Sequence, residues 1–201
     1  MERKLNRRLL LIRHGQAVGN ARHLFLGISD DPLTDEGREQ ARSLAKTLET
    51  YDIAAVYTSP LRRAAETTAL IFGEREVTED ARLVEQDFGK WECLDFDLIQ
   101  ATYAEDFARW QTGDPSISPS GGEPLETVSR RMGWFLDETA IYFKEGETVA
   151  VVGHAASFQA MLCRLLGTPL RNQWPYRLEN ATIAEVEIID DRAVLTKLNV
   201  R

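Results

Sequence analysis

Three short apolar runs constrain this chain most: "LLLI" (9–12), "IAAVYTSP" (53–60) and "TVAVVGH" (148–154), separated by stretches patterned for helix. Unbroken apolar runs of this length suit strands buried on both faces, as in a parallel sheet covered by helices. The intervening "PLTDEGREQARSLAKTLET" predicts a helix capped by Thr34, with Ala41, Leu44, Ala45 and Leu48 on one face. Ser59 and Pro60 are the expected N-cap and first residue of the next helix. Another begins near Pro124 and buries Leu125, Val128, Met132 and Phe135, and "SFQAMLCRLLG" forms one ended by Gly167 and Pro169. The tail "TIAEVEIIDDRAVLTKLNV" alternates and turns at Asp190-Asp191, which predicts an antiparallel pair.

The expected fold class is therefore α/β: three layers, α/β/α, with a mainly parallel central sheet and one antiparallel edge strand or hairpin. Residues 74–124 are irregular and rich in charge, aromatics, Pro and Gly, with a helix near 97–110. They read as a lid inserted into a single domain spanning 1–201.

At 201 residues the chain can bury one sizeable core. Its net charge of −8 argues against a general nucleic-acid or anionic-membrane binder, so any anion must be held by a local basic pocket. Cys93 and Cys163 lie far apart without CxxC spacing, which points to a reducing compartment and to neither a disulfide framework nor a zinc site. The basic start "MERKLNRR" precedes an apolar run too short for a secretory signal, and no stretch approaches the roughly 18 apolar residues of a membrane span. A cytoplasmic protein with no membrane and no nucleic-acid partner is expected. Its oligomeric state is not legible, and a dimer is compatible with the sequence.

Two apolar strands end alike, "LLLIRHG" in His14 and "VAVVGHA" in His154, and these are two of only three histidines. In open α/β sheets the carboxyl ends of parallel strands line the ligand crevice. Arg13 adjoins the first histidine, while Arg62 and Arg63 stand in the first turn of a helix, where cations oppose the macrodipole unless an anion sits between them and the free N–H groups. Phosphate suits such a ring: a guanidinium pairs two oxygens at once, and Arg13, Arg63 and a protonated His154 would neutralise a dianion. Neutral His14 is a sensible nucleophile toward phosphorus if its other nitrogen is fixed. The leaving oxygen then needs an acid, and the loop "ARLVEQDFGKWE" offers Glu85, Asp87 and Glu92 without choosing among them.

At these residues the sequence resembles the histidine phosphatase superfamily, which includes cofactor-dependent phosphoglycerate mutases and many small phosphatases. "LLLIRHGQAVGN" is similar to its signature, "DDPLTDEGREQA" to its next block, and "TSPLRRAAETTA" to the block with a phosphate-binding arginine. "RLVEQDFGKWE" resembles the acid-bearing loop, "SGGEP" its Gly-Gly-Glu segment, and "VAVVGHAA" the block holding the second histidine. The resemblance selects Arg63 over Arg62 and Glu85 among the acids. It implies that His14 attacks phosphorus and Glu85 serves as acid and then base. It also implies that Arg13, Asn20, Arg63, His154 and the Ala155 N–H bind the phosphoryl group of a small phosphorylated metabolite. No cofactor and no metal are implied, and His23 reads as a pocket-rim or surface residue.

Two departures stand out. Ala155-Ala156 replace the Gly-Gly that many members carry, and Cys93 occupies a frequent glycine position. The loop "QDFGKWE" resembles the phosphatase branch, so a phosphatase is expected. The alternatives are mutase-type phosphoryl transfer and a catalytically idle phosphate-binding module. Phe88, Trp91, Phe96, Phe107 and Trp110 form either lid core or an apolar wall for substrate.

Overall fold

A computed structural model describes residues 5–140, 145–190 and 192–201. Asp191 of the expected tail turn and the residues before Leu5 lie outside the described residues. In chain order the elements are β1 (Leu5–Arg13), α1 (Val18–Ala21), α2 (Asp35–Leu48), β2 (Ile53–Thr58), α3 (Arg62–Phe72) and β3 (Thr78–Glu79). They continue with α4 (Phe96–Thr102), α5 (Ala104–Trp110), α6 (Leu125–Ala140), β4 (Glu147–Gly153), α7 (Ala155–Leu166), β5 (Ile183–Ile189) and β6 (Arg192–Val200).

The strands form one sheet in the order β3-β2-β4-β1-β5-β6. The first four are mutually parallel, and β5 pairs antiparallel with both β1 and β6, which gives the expected edge hairpin. Side chains alternate along β1, so Leu9 and Leu11 enter one core with α6 and α7, through Met132, Phe135 and Phe158. Leu10 and Ile12 enter the other with α2 and α3, through Leu44, Leu48 and Ala64. The three-layer reading holds because β1, β2, β4 and β5 each feed both cores. At about 1.5–3 kcal/mol per buried aliphatic side chain, these alternating residues fix the β1 register firmly. Thr34 caps α2 by accepting the Gly37 N–H, and Gly167 closes α7 in the left-handed conformation.

Two local expectations need correction. The helix after β2 starts at Arg62 with Leu61 as its N-cap, not at Ser59-Pro60; the Ser59 hydroxyl accepts the Leu61 N–H at 3.3 Å and also meets His154. The helix near 97–110 is two helices broken at Tyr103, and the break lets Ile99 and Phe107 share a small third core with Trp91 and Phe88. Of the lid aromatics, Trp91 and Phe107 are therefore core, while Phe88, Phe96 and Trp110 also face the cleft described below.

Candidate active site

β1, β4 and β2 are neighbours, and the residues following their carboxyl ends are His14, His154 and Ser59, all buried. The imidazoles of His14 and His154 face each other with ring centroids 5.1 Å apart. His14 Nδ1 lies 2.7 Å from the Gly15 carbonyl oxygen, which can only accept, so Nδ1 carries the proton and Nε2 keeps its lone pair. Gly15 is required here: a Cβ would stand 2.4 Å from the Gly37 carbonyl oxygen in α2. Its N–H donates to Thr67 Oγ1, which in turn donates to the Arg63 carbonyl, tying the β1 tip to α3. Asn180 Nδ2 donates to the His14 carbonyl and to Asn20 Oδ1, which also accepts the Ala17 N–H.

Arg63 is fully buried. Its guanidinium donates to the carbonyls of Ser29 (2.9 Å) and Gly27 (2.5 Å), and its Nε to His14 Nε2 at 3.3 Å. Arg13 donates to the Leu178 carbonyl at 2.7 Å, while its Nε is buried without a partner among the described residues. Among those residues neither guanidinium has a carboxylate within ion-pair distance. A buried Arg63 and a half-buried Arg13 with no carboxylate directly paired to them are unusual, since buried charges are ordinarily paired; the leading offsetting charge on both is Glu85. Burial pushes Arg13 down to about 10, still fully charged at neutral pH. Arg62, by contrast, is exposed.

Burial, with the nearby Arg63 and Arg13 charges, holds His14 well below its ordinary 6.5. His154 is depressed likewise by burial, Arg63, His14 and Arg13. Burial and these cations favour the neutral form of both imidazoles. His154 Nε2 lies 2.7 Å from Ser59 Oγ, and its Nδ1 is buried without a partner among the described residues.

The three acids separate clearly. Glu85 is buried, and its carboxylate accepts the N–H groups of Gln86, Ala156 and Ser157 at 2.9–3.1 Å, the last two in the first turn of α7, which His154 precedes. Asp87 accepts the Gly89 N–H, a local turn contact. Glu92 accepts the N–H groups of Gly27, Ile28, Ser29 and Phe88, holding the loop whose carbonyls grip Arg63. The backbone around Glu85 is pinned by Arg131 of α6, which donates to the carbonyls of Arg82 (2.5 Å), Val84 (2.6 Å) and Glu85 (3.0 Å). Arg131 also forks onto Glu123 of the Gly-Gly-Glu segment.

Arg13, Asn20, Glu85 and Ala155 line a cleft of about 710 Å³. Ala155 opens α7 in ordinary helical geometry, so no glycine is needed there. Cys93 has a φ of 60°, the left-handed region in which glycine is unstrained. His23 is exposed on the cleft rim. Sequence reasoning misses Thr67, Arg131 and Asn180 as site supports and misreads Ser59. Only the buried-strand ending before Ser59 hints that it reaches the crevice.

The depressed histidines have a consequence for stability. Below 6.5 an unfolded chain protonates both imidazoles while the folded one does not, so stability falls as pH drops from 6.5 toward the folded values. Once fully developed, each imidazole costs about 1.4 kcal/mol per pH unit. The melting temperature in phosphate-free buffer should fall steadily from pH 7 to 5.5, with a shallower slope for His154→Gln. A flat profile in the unaltered chain would show that the imidazoles are not held neutral.

Residues 9–201 match the sequence profile of the histidine phosphatase superfamily (branch 1). Phosphoserine phosphatase 1 of Hydrogenobacter thermophilus is 33% identical over 196 residues, covering 96% of this chain and 92% of the relative. The adenosylcobalamin/alpha-ribazole phosphatase of Salmonella typhimurium is 30% identical, covering 96% of each chain. The crystal structure of the alpha-ribazole phosphatase from Shigella flexneri superimposes with a TM-score of 0.88 at 29% identity, again covering 96% of each chain.

Proposed function

The chain belongs to the histidine phosphatase superfamily, and we propose that it is a metal-independent phosphatase hydrolysing small phosphate monoesters through a phosphohistidine on His14. One observation carries this reading: the His14 Nε2 lone pair lies 3.3 Å from the buried Arg63 guanidinium, which has no carboxylate within ion-pair distance among the described residues, while Nδ1–H is fixed on the Gly15 carbonyl.

In the first step Nε2 attacks phosphorus, the P–N bond forms and the ester P–O bond breaks. The leaving oxygen takes its proton from Glu85. As Nε2 gives up its lone pair the ring becomes cationic, which strengthens the Nδ1–H hydrogen bond to the Gly15 oxygen. Arg13 and Arg63 offset the phosphoryl charge, and Asn20 and the Ala155 N–H border the same cleft. In the tautomer in which the Ser59 hydroxyl donates to His154 Nε2, a neutral His154 offers Nδ1–H to a phosphoryl oxygen. Water then attacks phosphorus, Glu85 takes its proton, and the P–N bond breaks to release phosphate and restore His14.

The relatives matched over 96% of this chain are named phosphatases, while those named mutases match over 78–80% of it, which favours hydrolysis over mutase-type transfer; an intact nucleophile and acid argue against an idle binding module. The whole of 1–201 is read as one domain, with 74–124 as its lid. Free Cys93 and Cys163 fit a reducing, cytoplasmic setting. Among the described residues no helix is long and apolar enough to cross a membrane.

The test is release of inorganic phosphate from p-nitrophenyl phosphate in excess chelator, with and without a glycerate acceptor. Full activity in chelator with phosphate as the sole phosphoryl product is expected. Loss of activity in chelator contradicts metal independence, and quantitative transfer to glycerate establishes the mutase reading instead.

A further inference from the structure

Beyond the phosphate end, the cleft is larger and more aromatic than hydrolysis of a monoester requires. A second lobe of about 360 Å³ continues from it, and the two share Phe25, Phe96, Trp110, Gln173 and Trp174 as walls. Phe96 is 46% and Trp174 58% exposed, a solvation cost that a monomer avoids unless the surface has a use. Trp174 stands at 90° to Trp110 with centroids 6.4 Å apart, and Phe25 also packs against Trp110 at 6.0 Å. The result is a corner of two aromatic surfaces beside the catalytic cleft.

A polar feature accompanies it. The Gln173 backbone carbonyl accepts Gln159 Nε2, but its side-chain Oε1 is buried without a donor among the described residues. A buried acceptor left unpaired costs about 1–3 kcal/mol, so it is ordinarily satisfied by something that binds.

We propose that this second lobe is a leaving-group subsite for an alcohol bearing an aromatic ring with an N–H or O–H on its rim. The ring stacks in the Trp110–Trp174 corner, and a turn of the Gln173 side chain brings Oε1 out to its donor. A leaving group without a ring, as in a phosphorylated amino acid or glycerol, has nothing to stack on these aromatic walls. The inference takes only the position of the phosphate from the phosphatase reading, and a binding measurement separates the two.

The probes are indolylethylphosphonate, its N-methylindole analogue and ethylphosphonate, none of which can be hydrolysed, titrated calorimetrically. The indole compound should bind roughly tenfold or more tightly than ethylphosphonate, the worth of a buried aromatic contact. Trp174→Ala, which removes an exposed ring and leaves the cores intact, should abolish that advantage without weakening ethylphosphonate. N-methylation should weaken binding several-fold in the unaltered chain and not in Gln173→Met. Equal affinity for the indole and ethyl compounds, or an advantage that survives Trp174→Ala, overturns the subsite and leaves the phosphate site standing. An N-methylated probe as tight as its parent overturns the part given to Gln173. Failure of all three to bind overturns the phosphate position and the subsite with it. Selective binding by a chain that does not turn over monoesters upholds the subsite and contradicts only the phosphatase reading.

Discussion

His14→Ala should lose at least about 10⁴-fold in kcat toward p-nitrophenyl phosphate, because the step that splits hydrolysis into two easier displacements disappears. The leaving group in this ester needs little proton assistance, so the loss reports the nucleophile and not the acid. The substitution also removes the acceptor facing Arg63 Nε, yet Arg63 keeps its carbonyl partners Gly27 and Ser29. The anion site therefore survives, and inorganic phosphate should still raise the melting temperature of the variant. Loss of activity with phosphate protection intact identifies a missing nucleophile. Loss of both would mean that the variant has collapsed the site, and His14→Gln then provides the smaller perturbation. Retention of full activity in either variant would exclude His14 as the attacking group.

Glu85→Gln should produce a loss that depends on the ester. Alkyl phosphates, whose alkoxide leaves poorly, should lose about 10²–10⁴-fold in kcat/KM, and p-nitrophenyl phosphate roughly tenfold or less in the phosphorylation step. The amide oxygen can still accept the Ser157 N–H, so the loop stays seated on α7 and the comparison isolates proton transfer. Kinetics over a series of esters graded by leaving-group acidity measures this directly as a steeper dependence in the variant. Equal losses across the series would move the acid role elsewhere. Asp87 and Glu92 are then the wrong places to look, since the first is a turn residue and the second holds the Arg63-gripping loop.

Much of this arrangement is legible in the amino-acid chain itself. Continuous apolar runs such as Leu9 to Ile12 leave a strand no exposed face, and polar residues at their ends mark where the chain leaves the core. Thr34 and Gly167 act as caps through local chemistry alone, so local sequence suffices for them. What is not legible depends on distant neighbours. Ser59-Pro60 has the grammar of a helix start, but the Ser59 hydroxyl faces His154, 95 residues away, and the helix begins later. Arg130 and Arg131 are indistinguishable in sequence; helical phase exposes the first and turns the second onto the Glu85 loop. The depression of His154 escapes sequence reasoning for the same reason, since it follows from burial and from Arg63 and Arg13, contributed by other elements. Six short motifs in order identify the family, while the carbonyls and N–H groups that orient Arg63 and Glu85 belong to the fold.

The central claim is that the phosphoryl group rests on His14 between the two displacements. The most direct measurement is an alkaline quench of the enzyme during turnover, which preserves phosphoramidates, followed by peptide mass mapping. The account predicts one phosphoryl group on the peptide containing His14, labile to acid, and absent in His14→Ala. It should accumulate when a good leaving group such as p-nitrophenol makes its hydrolysis the slow step. A phosphoryl group found on another residue during that burst, or hydrolysis by single displacement with inversion at phosphorus, would contradict it.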